Sequence, residues 1–175
     1  MAILHTAMRR LVLLALVVAL ALPAAVWADS ASKALPGDGT LVVDNGNGAV
    51  TVRARGGILG RFDFGNVVIS DLDLTDGKVP AVYGAETIQP LGNGRTRYTG
   101  DQVRFRMIGG LFRVQITAIG MDVSAVGRGV ATLDASGYTD FPGRYSINGG
   151  PFQPLPGHPV SYPLGQVPPS PPNAK

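Results

Sequence analysis

The chain has 175 residues, of which 24 are Gly, 14 Pro and none Cys, and only 15% are charged. That composition excludes disulfide-stapled scaffolds, zinc fingers and thiol nucleophiles, and it favours short strands joined by many turns over a helical bundle. Lys and Arg number 15 against 12 Asp and Glu, a balance of 13 to 12 once Arg9 and Arg10 are assigned to an export segment, so charge gives no reason to expect a nucleic-acid partner.

Arg9-Arg10 precede an unbroken apolar run over residues 11–22 (LVLLALVVALAL), closed by Pro23 and followed by AAVWA. Val26 and Ala28 meet the small-residue requirement of a signal peptidase, which predicts a signal peptide over 1–28 with cleavage before Asp29. Residues 11–28 just reach the length of an uncleaved anchor; Pro23 and the small-residue site favour cleavage. No Cys follows the run, so attachment through a lipidated N-terminal cysteine is excluded. The expected location is the cell envelope or the exterior, with membrane contact only through the signal segment before its removal.

Residues 29–38 (DSASKALPGD) are small and polar and read as a flexible leader. Residues 151–175 hold 9 of the 14 prolines, which predicts an extended or disordered tail, because Pro cannot donate to a strand ladder. The folded domain expected between them spans 39–150. Within it apolar residues recur with a period of two. Val50, Val52 and Ala54 alternate with Thr51, Arg53 and Arg55; Val103, Phe105 and Met107 with Arg104 and Arg106; Phe112, Val114, Ile116 and Ala118 with Arg113, Gln115 and Thr117. Such strands have one buried and one wet face, and no stretch carries a helical stripe, so the domain is expected to be all-β. Phe62 and Phe64, on one strand face, are expected in the core, and VVISDLDL (67–74) is expected to run as a strand into the turn at Asp76-Gly77.

Turn signals interrupt these runs about every ten residues, among them DNGNG (44–48), Arg55-Gly56-Gly57, Asn93-Gly94, Gly109-Gly110, Gly127-Arg128-Gly129 and Asn148-Gly149-Gly150. Two architectures fit: a β-solenoid-like stack of short strands, or an antiparallel β-sandwich or barrel. Residues 39–57 can be laid over 94–110 with a gap, which places Arg53/Arg55 and Arg104/Arg106 at equivalent positions 51 residues apart and favours stacked units. NGNGAVTVRARG and MDVSAVGRGVATLDASG resemble the repeats of bacterial auto-transporter adhesin heads. The resemblance implies a β-helical surface module, with no catalytic residues to carry over.

Catalytic equipment is sparse. His158, the single histidine after the signal segment, falls in the proline-rich tail, where no rigid partner is expected to hold it against a nucleophile. Asp71 and Asp73, at i and i+2 on one expected strand face, stand at a spacing glycosidase carboxylates use, but Trp27 in the signal segment is the sole Trp, so none remains to stack on a sugar. Asp71, Asp73 and Asp76 form a weak calcium candidate whose glycine and acid positions depart from the EF-hand pattern; no other metal and no cofactor is expected. The glycine-rich turns match neither phosphate-loop pattern. Arg53, Arg55, Arg104, Arg106 and Arg113 are expected on solvent faces. The first four would form a basic stripe if the repeat units stack, suited to phosphate or carboxylate groups.

These features predict a non-enzymatic exported protein that binds or scaffolds in the envelope or outside the cell, its partner an anionic envelope polymer or another envelope protein. The alternatives are a small polysaccharide hydrolase or lyase using Asp71 and Asp73, and an exported subunit that completes a partner's sheet.

Overall fold

The computed structural model describes residues 35–165, which contain strands and no helix: β1 (Gly39–Asp71), β2 (Ala81–Tyr83), β3 (Thr87–Gly92), β4 (Arg95–Asp134), β5 (Arg144–Ile147), β6 (Gln153–Pro154) and β7 (Val160–Leu164). The expected signal peptide, the leader up to residue 34 and residues 166–175 lie outside the described residues. The all-β expectation holds. All ladders are antiparallel, and the strands form one 7-stranded sheet.

Two strands dominate, β1 with 33 residues and β4 with 40, far beyond the usual strand length of about 3–10. They pair with each other along both edges. In one register Val50 opposes Ile116, and in the other Ile116 opposes Val67. Moving across two ladders therefore advances the chain by 17 residues, so the β1–β4 hairpin is wound into a coil whose successive turns bond to one another. Sandwich and stack are both present: a two-stranded ribbon stacks on itself and flattens into two layers.

The first layer runs in the order β7, 128–134, 49–55, 111–117, 66–71, 95–99, β3; the second runs β6, β5, 41–44, 122–126, 57–61, 103–108, β2. Strand alternation aims Val50, Val52, Val114, Ile116, Val67 and Leu133 inward from one layer, and Leu41, Val43, Val123, Ile58, Val103 and Met107 from the other, into a single core. Phe62 and Phe112 are its largest fully buried members.

The ribbon bends sharply where it passes between layers. Gly48, Gly56 and Gly65 of β1 and Gly127 of β4 take positive φ. At one such corner Gly56 opposes Gly127; a Cβ on Gly56 would stand 2.7 Å from the Gly127 Cα, and one on Gly127 would stand 2.9 Å from the Gly56 Cα. Several expected turns are thus corners inside continuous strands. The chain does reverse at Asn93-Gly94, whose φ values of 52° and 68° suit the primed hairpin turn.

Four expectations are corrected. Residues 151–165 are not a loose tail: β6 pairs with β5, β7 pairs with β4, and Leu155 and Leu164 are buried. Pro163 is accommodated because β7 is an edge strand, where a missing donor costs no ladder bond. VVISDLDL does not remain a strand to Leu74, since β1 ends at Asp71 and the chain turns. Phe64 is 60% exposed while Phe62 is buried, because the inward-outward alternation of the second layer ends at the corner beside Gly65, whose φ is positive, while both ladders keep their register there. Finally, the unit of stacking is the 17-residue turn set by the ladders, not the 51-residue offset.

One end of the core is closed by tyrosines. Tyr145 of β5 and Tyr162 of β7 share a hydroxyl hydrogen bond at 2.5 Å, with ring centroids 5.3 Å apart, which ties the layers together. Burial, aided by that bond, pushes the Tyr145 phenol up to about 12. At the other end the core-facing row Leu133, Val50, Ile116, Val67, Tyr98 runs out at Ile88 of β3, which is 62% exposed.

Candidate functional site: the arginine face of the first layer

The outward positions of the first layer follow from strand alternation. One row across the strands reads Val130, Arg53, Arg113, Ser70, Arg95. The next reads Thr132, Thr51, Gln115, Val68, Arg97, Gln89, and Arg55 lies beside Arg128 on the other flank. Arg53, Arg55, Arg95, Arg97 and Arg113 are all exposed, and none has a carboxylate within 4.0 Å among the described residues. Arg53 and Arg113 are direct cross-strand neighbours, an arrangement that destabilises a sheet when both residues carry the same charge. The fold keeps this repulsion unrelieved by an ion pair to either arginine.

The second layer handles its charges differently. Arg61 contacts Asp122 at 2.6 Å, and Arg144 contacts Asp44 at 2.6 Å while lying 5.2 Å from the Phe152 ring centroid. Arg104 and Arg106 are exposed in this layer, beside Arg61 and Leu59. The expected stripe of Arg53, Arg55, Arg104 and Arg106 is therefore split. The structure groups Arg53, Arg55 and Arg113 and sends Arg104 and Arg106 to the other layer. Arg95 and Arg97 take their place, and the i, i+2 pattern of Arg-Thr-Arg over 95–97 was the signal for them, the same pattern that singled out Arg53 and Arg55.

Ser70 sits in the arginine row between Arg113 and Arg95. It is 2% exposed, and its Oγ has no hydrogen-bond partner, the kind of vacancy that costs on the order of 1–3 kcal/mol when it persists.

The three aspartates of the acidic run are absorbed by the turn after β1. Asp71 Oδ1 accepts from the Asp73 amide at 2.9 Å, Asp73 Oδ1 accepts from the Thr75 hydroxyl at 2.6 Å, and Asp76 Oδ1 accepts from the Lys78 amide at 2.8 Å. These are Asx-type turn contacts. Hydrogen bonds from the Thr75 hydroxyl and amide hold the Asp73 carboxyl below its ordinary value, with a lesser contribution from Arg55, which is opposite to what a general acid needs. Asp71 and Asp73 do not share a strand face, and no group of three or more His, Cys, Asp or Glu side chains converges on a metal position among the described residues.

His158 is exposed, in the ordered segment between β6 and β7. It lies near Asp134, whose carboxyl is held low chiefly by hydrogen bonding from Ser136 and only slightly by His158. Asp134 accepts directly from the Ser136 amide at 2.8 Å, so the imidazole does not stand between acid and hydroxyl as nucleophile activation requires. Comparison of the chain with protein-family models, curated proteins and solved structures gave no match.

Proposed function

We propose that the protein is an exported, non-enzymatic binding module of the cell envelope or exterior that holds an anionic polymer on the arginine face of its first layer. The observation that carries this reading is the juxtaposition of Arg53 and Arg113 without a counter-ion, flanked by exposed Arg55, Arg95 and Arg97, while Asp134 stands at the edge of the face and Asp38 is paired with Arg128. Guanidinium forks held at fixed strand spacing suit repeated carboxylate or phosphate groups. The export pattern of residues 1–28 and the engagement of Asp71, Asp73 and Asp76 in turn contacts support the same reading. Completion of a partner's sheet is less well served, because Pro90 removes a donor from the β3 edge.

The test is co-sedimentation with envelope purified from the protein's own source. Binding is expected at about 20 mM salt and should fall by about ten-fold or more near 0.5 M, where charges are screened beyond a few ångströms. A protein that stays in the supernatant at every ionic strength would remove the envelope polymer as its ligand.

A further inference from the structure

We infer, resting on the reading above, that the polymer is a carboxylate-bearing polysaccharide laid across the strands of the first layer. The outer face supplies two kinds of group. Guanidiniums stand at Arg53, Arg113, Arg95 and Arg97, and between and beside them lie neutral hydrogen-bonding side chains, including Thr51, Gln115, Thr117 and Asn66. A phosphate polymer offers a dense line of charge and little else, so the neutral field would have nothing to meet. A uronic-acid chain offers carboxylates separated by ring hydroxyls, which donate to and accept from Thr, Asn and Gln.

Spacing points the same way. Ser70 separates Arg113 from Arg95 by two strand steps, on the order of 10 Å at the usual strand separation. In an extended 1,4-linked chain every second carboxylate faces the same side, at a repeat of similar length. The outward rows carry no aromatic residue: Tyr98 and Tyr162 occupy core-facing rows. The face therefore lacks the stacking platforms with which proteins hold single-stranded nucleic acid.

The experiment is titration of the full chain with two polyuronates of different ring geometry, polygalacturonate and alginate, with long-chain polyphosphate and with neutral dextran, at one ionic strength and matched charge concentration. At least one polyuronate is expected to bind about ten-fold more tightly than polyphosphate, and dextran not at all. Thr51→Val with Thr117→Val, which keeps strand-favouring shapes, should weaken the polyuronate about five-fold, the size of one lost hydrogen bond, and leave polyphosphate unchanged. Arg53→Gln with Arg113→Gln should weaken both. Polyphosphate binding as tightly as either polyuronate, or a threonine variant that behaves as wild type, overturns the polysaccharide while leaving an anionic polymer in place. Failure to bind any of the polyanions overturns both.

Discussion

Gly127→Ala should destabilise the protein by about 3–4 kcal/mol, combining roughly 1–3 for a strained backbone with 1–3 for overpacking. The added methyl would meet the Arg55 carbonyl and the Gly56 Cα, at a φ of 148°. Neither obstacle is the tip of a flexible side chain, and the opposing strand is fixed by ladders on both sides, so little can give. Gly77→Ala is the matched control. Gly77 also has positive φ, but a Cβ there meets nothing within 4 Å, and the expected loss is about 1 kcal/mol, the backbone contribution alone. Guanidinium unfolding midpoints of the two variants measure the difference. Equal shifts would mean that the ribbon does not cross itself at Gly56 and Gly127.

Truncation after Gly150 should abolish cooperative unfolding or come close to it. The cut removes β6, β7, the buried Leu155 and Leu164, and Tyr162 with its bond to Tyr145. Each buried leucine is worth about 2–5 kcal/mol when truncated, and a domain of this size has only about 5–15 kcal/mol in total. Leu164→Ala alone, at about 3 kcal/mol, should give a folded but weakened protein and so separates packing from gross loss of chain. A truncated protein that melts cooperatively at the wild-type temperature would show that these residues do not belong to the core.

The fold class was legible because strand alternation is a local property. Val50 to Ala54 and Phe112 to Ala118 announce their buried faces residue by residue, and the structure buries those apolar positions. The winding was not legible, because Gly-Gly and Asn-Gly pairs mark positive φ without saying whether the chain reverses or only bends. Asn93-Gly94 reverses it, whereas Gly56-Gly57 and Gly109-Gly110 lie inside β1 and β4. The 17-residue step between Gly48 and Gly65 was present in the sequence and recurs between Gly110 and Gly127, but so short a period is hard to separate from chance in a glycine-rich chain. The tail was misread for a related reason. Proline excludes a central strand and not an edge, and the packing of Leu155 and Leu164 is a long-range matter.

The candidate face was half legible. Exposure of Arg53, Arg55 and Arg113 followed from alternation, but their grouping depended on which turn of the coil lies beside which. Arg113 is 60 residues from Arg53 in the chain and its immediate neighbour across the ladder, while Arg104, nearer in the sequence pattern, lies in the other layer. Asp71 and Asp73 show the converse. Their i, i+2 spacing implied a shared face only while the strand continued, and β1 stops at the first of them.

The most direct test of the arginine face compares two double variants of equal charge change in envelope co-sedimentation at about 0.15 M salt, where the Debye length is about 8 Å. Arg53→Gln with Arg113→Gln, in the first layer, should weaken binding about ten-fold or more, as expected when two charge-assisted contacts are lost. Arg104→Gln with Arg106→Gln, in the second layer, should leave it within about two-fold, since long-range charge effects are largely screened beyond the Debye length. Equal losses from the two layers would contradict a dedicated face and reduce the interaction to net charge.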